Sequence, residues 1–257
     1  PDTLSRNNYK SSFWPKLPKL LIKNKISTNW LHIYVEDRIL NKAKVASKFI
    51  KKLNANIESK QTHVTLDTFL NIKVVFKSIC DWIKLIFKSR NIVKIDSNSL
   101  GENYFIWPFI KLDLKESIFG QTALNNFLYF NLFSRSIGLL AKQNKGLYLQ
   151  ENQGWEFSFI QLWKYFKHGD LIGVPHSSVR FWDLRYYYDS RSYKGEFSMQ
   201  LPRPNKIALN GPLAKKNYLD GKYPKKEIID VEALRYLYLN NFININHTNK
   251  KNIRLLI

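Results

Sequence analysis

The spacing of apolar positions changes along the chain, and the period separates helix from strand. Trp30-Leu31-His32-Ile33-Tyr34-Val35 reads as a strand. Glu36 and Asp37 follow, well placed for the positive end of a helix. Ile39, Ala43, Ala46, Phe49, Ile50 and Leu53 then recur at helical spacing, and residues 63–66 form a second short strand. Residues 69–88 make a strongly amphipathic helix. Ile72, Phe76, Ile79, Ile83 and Ile86 fall on one stripe, and Lys73, Lys77, Lys84 and Lys88 on another face. Residues 91–103 read as a loop, followed by the aromatic cluster Tyr104-Phe105-Ile106-Trp107-Pro108-Phe109. A long helix is expected from about 115 to 140. It is apolar nearly all round over 123–133, which places it centrally in a fold. Asn125, Asn126, Asn131 and Arg135 argue against a membrane span there.

The second half is more regular. A strand at 146–149 leads to a helix at 154–166, with Trp155, Phe159, Ile160, Trp163 and Phe166 on its stripe. A strand at 171–174 precedes an irregular aromatic stretch from 177 to about 204. A strand at 206–209 runs into Asn210-Gly211-Pro212, where proline suits the first helical position. That helix ends at Gly221, a natural C-terminal cap, and a strand at 227–231 follows. Strands alternating with helices imply an α/β fold, a Rossmann-like and mostly parallel sheet with helices on both faces. Residues 240–252 are polar and asparagine-rich, like a linker. Residues 253–257 read as the opening strand of a further domain, or else as an edge strand of the same sheet. The expected organisation is therefore a domain over 1–239, a linker over 240–252 and a second domain beginning at 253.

Composition narrows the class. The 257 residues are 44% hydrophobic and 15% aromatic, which excludes disorder. The single cysteine, Cys80, excludes an internal disulfide framework. No zinc-ligand spacing and no D-x-D carboxylate pair at a convincing strand end is present, so no metal is implied. No run approaches 18 uninterrupted apolar residues, the minimum for a spanning helix. The sequence starts at Pro1 and has Met199 as its only methionine, so the true start is expected to be missing, together with any N-terminal targeting signal it carries. The net charge of +21 fits compositional drift toward lysine and asparagine, attraction to an anionic membrane surface, or nucleic acid. No arginine-rich run or RNA-binding signature supports nucleic acid. The lysine face of helix 69–88 reads as a solvated surface or as a face resting on lipid headgroups.

Ligands of open parallel α/β sheets bind beyond the carboxyl ends of the strands. The expected strand ends carry Gln150, Glu151, Asn152 and Gln153; then Pro175, His176, Ser177 and Ser178; then Asn210 and Gly211; then Glu232 and Arg235. Glu151 can serve as a general base or steady a developing positive charge on a sugar, or simply cap the next helix. Glu156 fits capping better, since it sits in the first helical turn. His176 can take a proton or bind phosphate, with Ser177 and Ser178 adding hydroxyl donors, or it can be structural. Arg180 and Arg185 can grip phosphate or carboxylate, or pair with Asp183 and Asp189. Trp182 and the following tyrosines can stack on sugar rings. Neither G-x-G-x-x-G nor a Walker A loop occurs, which weakens kinase, ATPase and NAD-dehydrogenase readings.

The runs F-I-W-P-F-I-K-L-D-L-K-E-S-I-F-G, G-L-Y-L-Q-E-N-Q-G-W-E, G-V-P-H-S-S-V-R-F-W-D-L-R-Y, A-L-N-G-P and V-E-A-L-R-Y-L-Y-L resemble a bacterial surface carbohydrate biosynthesis family of O-antigen and capsule gene clusters. The resemblance covers about residues 104–239. It implies a glycosyltransferase of the two-Rossmann-domain (GT-B) type, with the acceptor half first and the nucleotide-sugar half second. The implied reaction moves a sugar from a nucleotide donor to a glycan or lipid-linked acceptor for lipopolysaccharide or capsule. It needs no cofactor and takes place in the cytoplasm or peripherally at the inner face of the membrane. The chain stops where the donor half should start, so this piece is expected to fold without turning over. Polyol-phosphate transfer or nucleotide-sugar epimerisation fits the same architecture. A non-catalytic module docking on membrane glycolipid is the reading from outside enzymes.

Overall fold

The computed structural model describes residues 9–11, 13–36, 38, 40–90, 107–175, 186, 190–194 and 200–233. Among these the fold is α/β with parallel strands, in line with a Rossmann-like fold. The strands fall into two parallel sheets rather than one. The first pairs β1 (Thr28–His32) with β2 (Gln61–Thr65), Trp30 lying opposite His63. The second has the order β3 (Lys145–Gln150), β4 (Asp170–Pro175), β5 (Lys206–Leu209) and β6 (Ile228–Asp230). The helices are α1 (Leu17–Lys23), α2 (Ala43–Asn54), α3 (Ile72–Lys88), α4 (Trp107–Phe119), α5 (Gln121–Leu139), α6 (Gly154–Tyr165), α7 (Arg191–Lys194) and α8 (Pro212–Asp220).

Strand β1 starts two residues before its expected position and stops at His32, because its ladder is set by β2: Thr28 N–H bonds the Lys60 carbonyl at 3.0 Å. Helix α2 holds β2 in turn. The Asn54 amide donates to the His63 carbonyl and accepts from the His63 N–H, both at 2.8 Å. Helix α3 begins at Ile72, since Asn71 Oδ1 accepts the Val74 N–H and caps it. The residues before it, Leu66–Phe69, form a 3₁₀ turn instead.

The long helix expected over 115–140 is two helices, and the first starts earlier. Trp107 opens α4, with Pro108 in the first turn where no N–H is needed. The break falls at Gly120. Glu116 folds back to accept from Thr122 N–H and Thr122 Oγ1, capping α5. Its carboxylate then occupies the space where any Cβ at position 120 would go.

Helix α5 is the hub of the molecule. Leu132, Phe133 and Ile137 pack with Leu66, Val74 and Leu162, and with Leu31 and Ile33 from the end of β1. Trp155 and Phe159 of α6 join the same cluster, so α5 ties the two sheets together. Asn29 Nδ2 adds a hydrogen bond to Gln143 Oε1, just ahead of β3. Helix α3 presents Val74 and Ser78 to this core, not the apolar stripe that stands out in its sequence. Ile72 is 80% exposed and Phe76 67%.

Candidate functional site

Strand β3 alternates, with Gly146, Tyr148 and Gln150 on one face, the face toward α6. Gly146 makes room for the Trp163 ring. Gly173, opposite Tyr148 on β4, does the same for Gln150: a Cβ there would come within 2.7 Å of Gln150 Oε1. The chain then turns through Asn152, whose φ of 54° lies in the left-handed region that asparagine tolerates. Gln153 caps α6 and forms a reciprocal capping box with Glu156.

Glu156 is more than a cap. It lies on the stripe of Ile160 and Trp163, at i, i+4 and i+7, so its side chain is carried inward and is only 2% exposed. Its Oε1 accepts the main-chain N–H of Glu151 at 2.7 Å and of Gln153 at 3.0 Å. Burial pushes its carboxyl up to about 7, against the N–H groups that pull it down. The group therefore changes charge near neutrality, as an acid–base catalyst needs.

Beyond the end of β3 lies a narrow cleft that opens to solvent. One wall is Tyr148, Gln150, Asn152, Glu156, Phe157 and Ile160. The other is Ser192, Tyr193, residues 201–204 and Tyr223. Gln150 Nε2 donates to Asn152 Oδ1 at 3.0 Å. That leaves Gln150 Oε1 and Asn152 Nδ2 buried without a hydrogen-bond partner, an acceptor and a donor on neighbouring amides. Gln150 is 3% exposed. Buried polar atoms are nearly always paired, so two orphans on one cleft wall call for an explanation. Across the cleft, Arg203 grips Glu227 through Nε–Oε2 at 2.8 Å and Nη2–Oε1 at 3.2 Å, a forked pair that keeps the arginine positively charged.

The structure thus brings Gln150 and Asn152 into one site. Gln153 stands beside it as an exposed cap. Glu151 supplies its main-chain N–H to the buried carboxylate, and its side chain is not among those lining the cleft. Asn210 and Gly211 lead into α8 away from the lining. Gly211, at φ 146°, takes a backbone conformation closed to other residues. Glu232 is exposed just past β6. His176, Ser177, Ser178, Arg180, Asp183, Arg185 and Arg235 lie outside the described residues. Sequence reasoning read Glu156 as a cap, which it is, without its place in the site, and missed Arg203, Tyr193 and Tyr223. Glu156 had a readable signal, its place on the Ile160–Trp163 stripe. Arg203 and the tyrosines are brought in by tertiary folding alone.

A second buried polar group sits in the two-stranded sheet. His32 Nε2 and His63 Nδ1 are 3.0 Å apart with their rings nearly parallel. Trp30 stacks over both, and Tyr9 meets both edge-on. Burial lowers both imidazoles to about 4, so the pair is neutral. Among the described residues no group of three or more His, Cys, Asp or Glu can hold a metal ion. No protein-family model matches the chain, and neither does any curated protein or solved structure.

Proposed function

We propose that the cleft at the carboxyl end of β3 binds a sugar of a glycan acceptor, and that the chain is the acceptor-side part of a glycosyltransferase for bacterial surface polysaccharide. The observation that carries this reading is the pair of buried, unpartnered amide atoms, Gln150 Oε1 and Asn152 Nδ2. A vicinal diol offers both a donor and an acceptor, and the aromatic rings of Tyr148, Tyr193 and Tyr223 line the same cleft. Arg203 is neutralised by Glu227, so the wall suits an uncharged ligand better than a phosphate.

In this reading Glu156 is the general base. Its carboxylate takes the proton of the acceptor hydroxyl as that oxygen attacks the anomeric carbon of the donor sugar. The bond from that carbon to the nucleotide breaks, and the nucleotide leaves with the electron pair. Glu151, expected for that role from its position, positions Glu156 through its main-chain N–H instead. The nucleotide sugar is a substrate, and the surrounding cytoplasm supplies it.

The test has two parts. Oligosaccharides released from surface polysaccharide are titrated into the isotope-labelled chain. The side-chain amide signals of Gln150 and Asn152 should shift, and Gln150→Ala should abolish the shift. Protein made from the whole gene is then given CMP-, UDP-, GDP- and dTDP-sugars with lipid-linked glycan. One nucleotide should be released only with acceptor, and Glu156→Gln should slow release by about a hundredfold. No amide shift with any saccharide sinks the sugar site. A shift without nucleotide release leaves a binding module and sinks the enzyme.

A further inference from the structure

The face of α3 that looks away from the core carries Ile72, Val75, Phe76, Ile79, Ile83 and Phe87, all exposed. They recur at i, i+3, i+4, i+7, i+11 and i+15, one continuous stripe about 22 Å long at the rise of an α-helix. Soluble helices bury such a stripe. Here the side that packs on α5 is Val74 and Ser78, held by the Ser78 hydroxyl bonding the Phe127 carbonyl. Helix α4, joined to α3 through Trp82 Nε1 and the Ile118 carbonyl, exposes Phe109, Ile110 and Leu112 as well. The stripe is flanked by Lys73, Lys77, Lys84 and Lys88, and Arg90 lies 4.4 Å from the centroid of the exposed Phe87 ring. The only acid within α3 is Asp81, paired with Lys77 and Lys84.

We infer that α3 lies in the surface of an anionic lipid bilayer, its apolar stripe among the acyl chains and its lysines at the headgroups. Charge chooses this occupant over a second copy of the chain. Two α3 faces brought together would set five cations against five, on a molecule already at +21. An anionic bilayer accepts both parts of the face, and attraction grows with each lysine near the surface. No helix of the described residues is long and apolar enough to cross a membrane, so contact is peripheral.

Overall charge alone attracts the protein to anionic vesicles, so the experiment must report where the stripe goes. In a Cys80→Ser background, Phe76→Cys carries an environment-sensitive fluorophore, and Lys51→Cys on the exposed side of α2 carries the control. Vesicles are phosphatidylcholine alone, or with about a third phosphatidylglycerol. Binding should be about tenfold tighter on the anionic vesicles, with a blue shift at position 76 and none at 51. Unlabelled Phe76→Glu, or Ile83→Ser should glutamate disturb folding, should weaken binding by about tenfold. The inference falls if anionic vesicles do not bind, or if they bind with position 76 still in water. It also falls if ultracentrifugation finds a dimer that Phe76→Glu dissociates.

Discussion

The two parallel sheets each bury ionisable groups, and they resolve the burial in opposite ways. In the two-stranded sheet His32 and His63 share a hydrogen bond with each other and stay neutral, packed against Trp30 and Tyr9. Beside the four-stranded sheet Glu156 of α6 is held by main-chain N–H groups, and its neighbours Gln150 and Asn152 keep unspent bonding capacity beside an open cleft. A closed polar cluster specifies a fold. An open one is a site waiting for a ligand's hydroxyls.

The sharpest way to break this contrast is to remove the buried carboxylate. Glu156→Ala strips the acceptor from the Glu151 and Gln153 N–H groups and should cost about 3 kcal/mol in urea unfolding. Glu156→Gln keeps an acceptor there. Burial raises the native carboxyl from 4.5 to about 7, so the contribution of Glu156 to stability is fullest below 4.5 and is lost as pH rises through 7. The glutamine variant should lack that decline and match or exceed wild type at pH 8.

The histidine pair should give the opposite limb, of about 2 kcal/mol. Both imidazoles titrate near 6.5 when unfolded and near 4 when folded. Their contribution is present above 6.5 and lost as pH falls toward 4, because the folded pair resists protonation. His32→Gln should halve that acid limb and leave the alkaline one alone, read from stability measured across pH.

The smallest stability effect is the most telling for function. Gln150→Met replaces an orphaned acceptor with an apolar chain of similar length. The bond from Nε2 to Asn152 Oδ1 is lost with it, so stability should fall by about 1 kcal/mol, while saccharide binding at the cleft is lost. A large loss of stability instead would mean that the amide holds the fold together and that the cleft wall is structural.

How much of this was legible is decided by range. Strands 146–149, 171–174 and 206–209 and the helix from Pro212 to Gly221 read within a residue or two. Their signals are local: short apolar runs, a proline at the start, a glycine at the end. The break at Gly120 was not legible, because it depends on Glu116 turning back to cap the next helix. The orientation of α3 was hidden too. Its sequence advertises one stripe, but Val74 packs into the α5 cluster while Ser78 donates to the Phe127 carbonyl and Asp81 accepts from Asn131, contacts that no local pattern encodes. At the site, Gln150 and Asn152 announced themselves as polar residues after a buried strand. The missing half of the cleft, Tyr193, Arg203 and Tyr223, comes from more than forty positions further along.

A sheet of two strands has nothing but edges, and an edge invites another strand. The Asn54 amide meets the outward N–H and C=O of His63 just as an incoming main chain would. One side chain, fixed at the end of α2, thereby stands in for the next strand and arrests growth of the sheet. Replacing it would cost little in packing but would uncover a template for intermolecular pairing, so Asn54 guards this chain against aggregation as well as holding β2 in place.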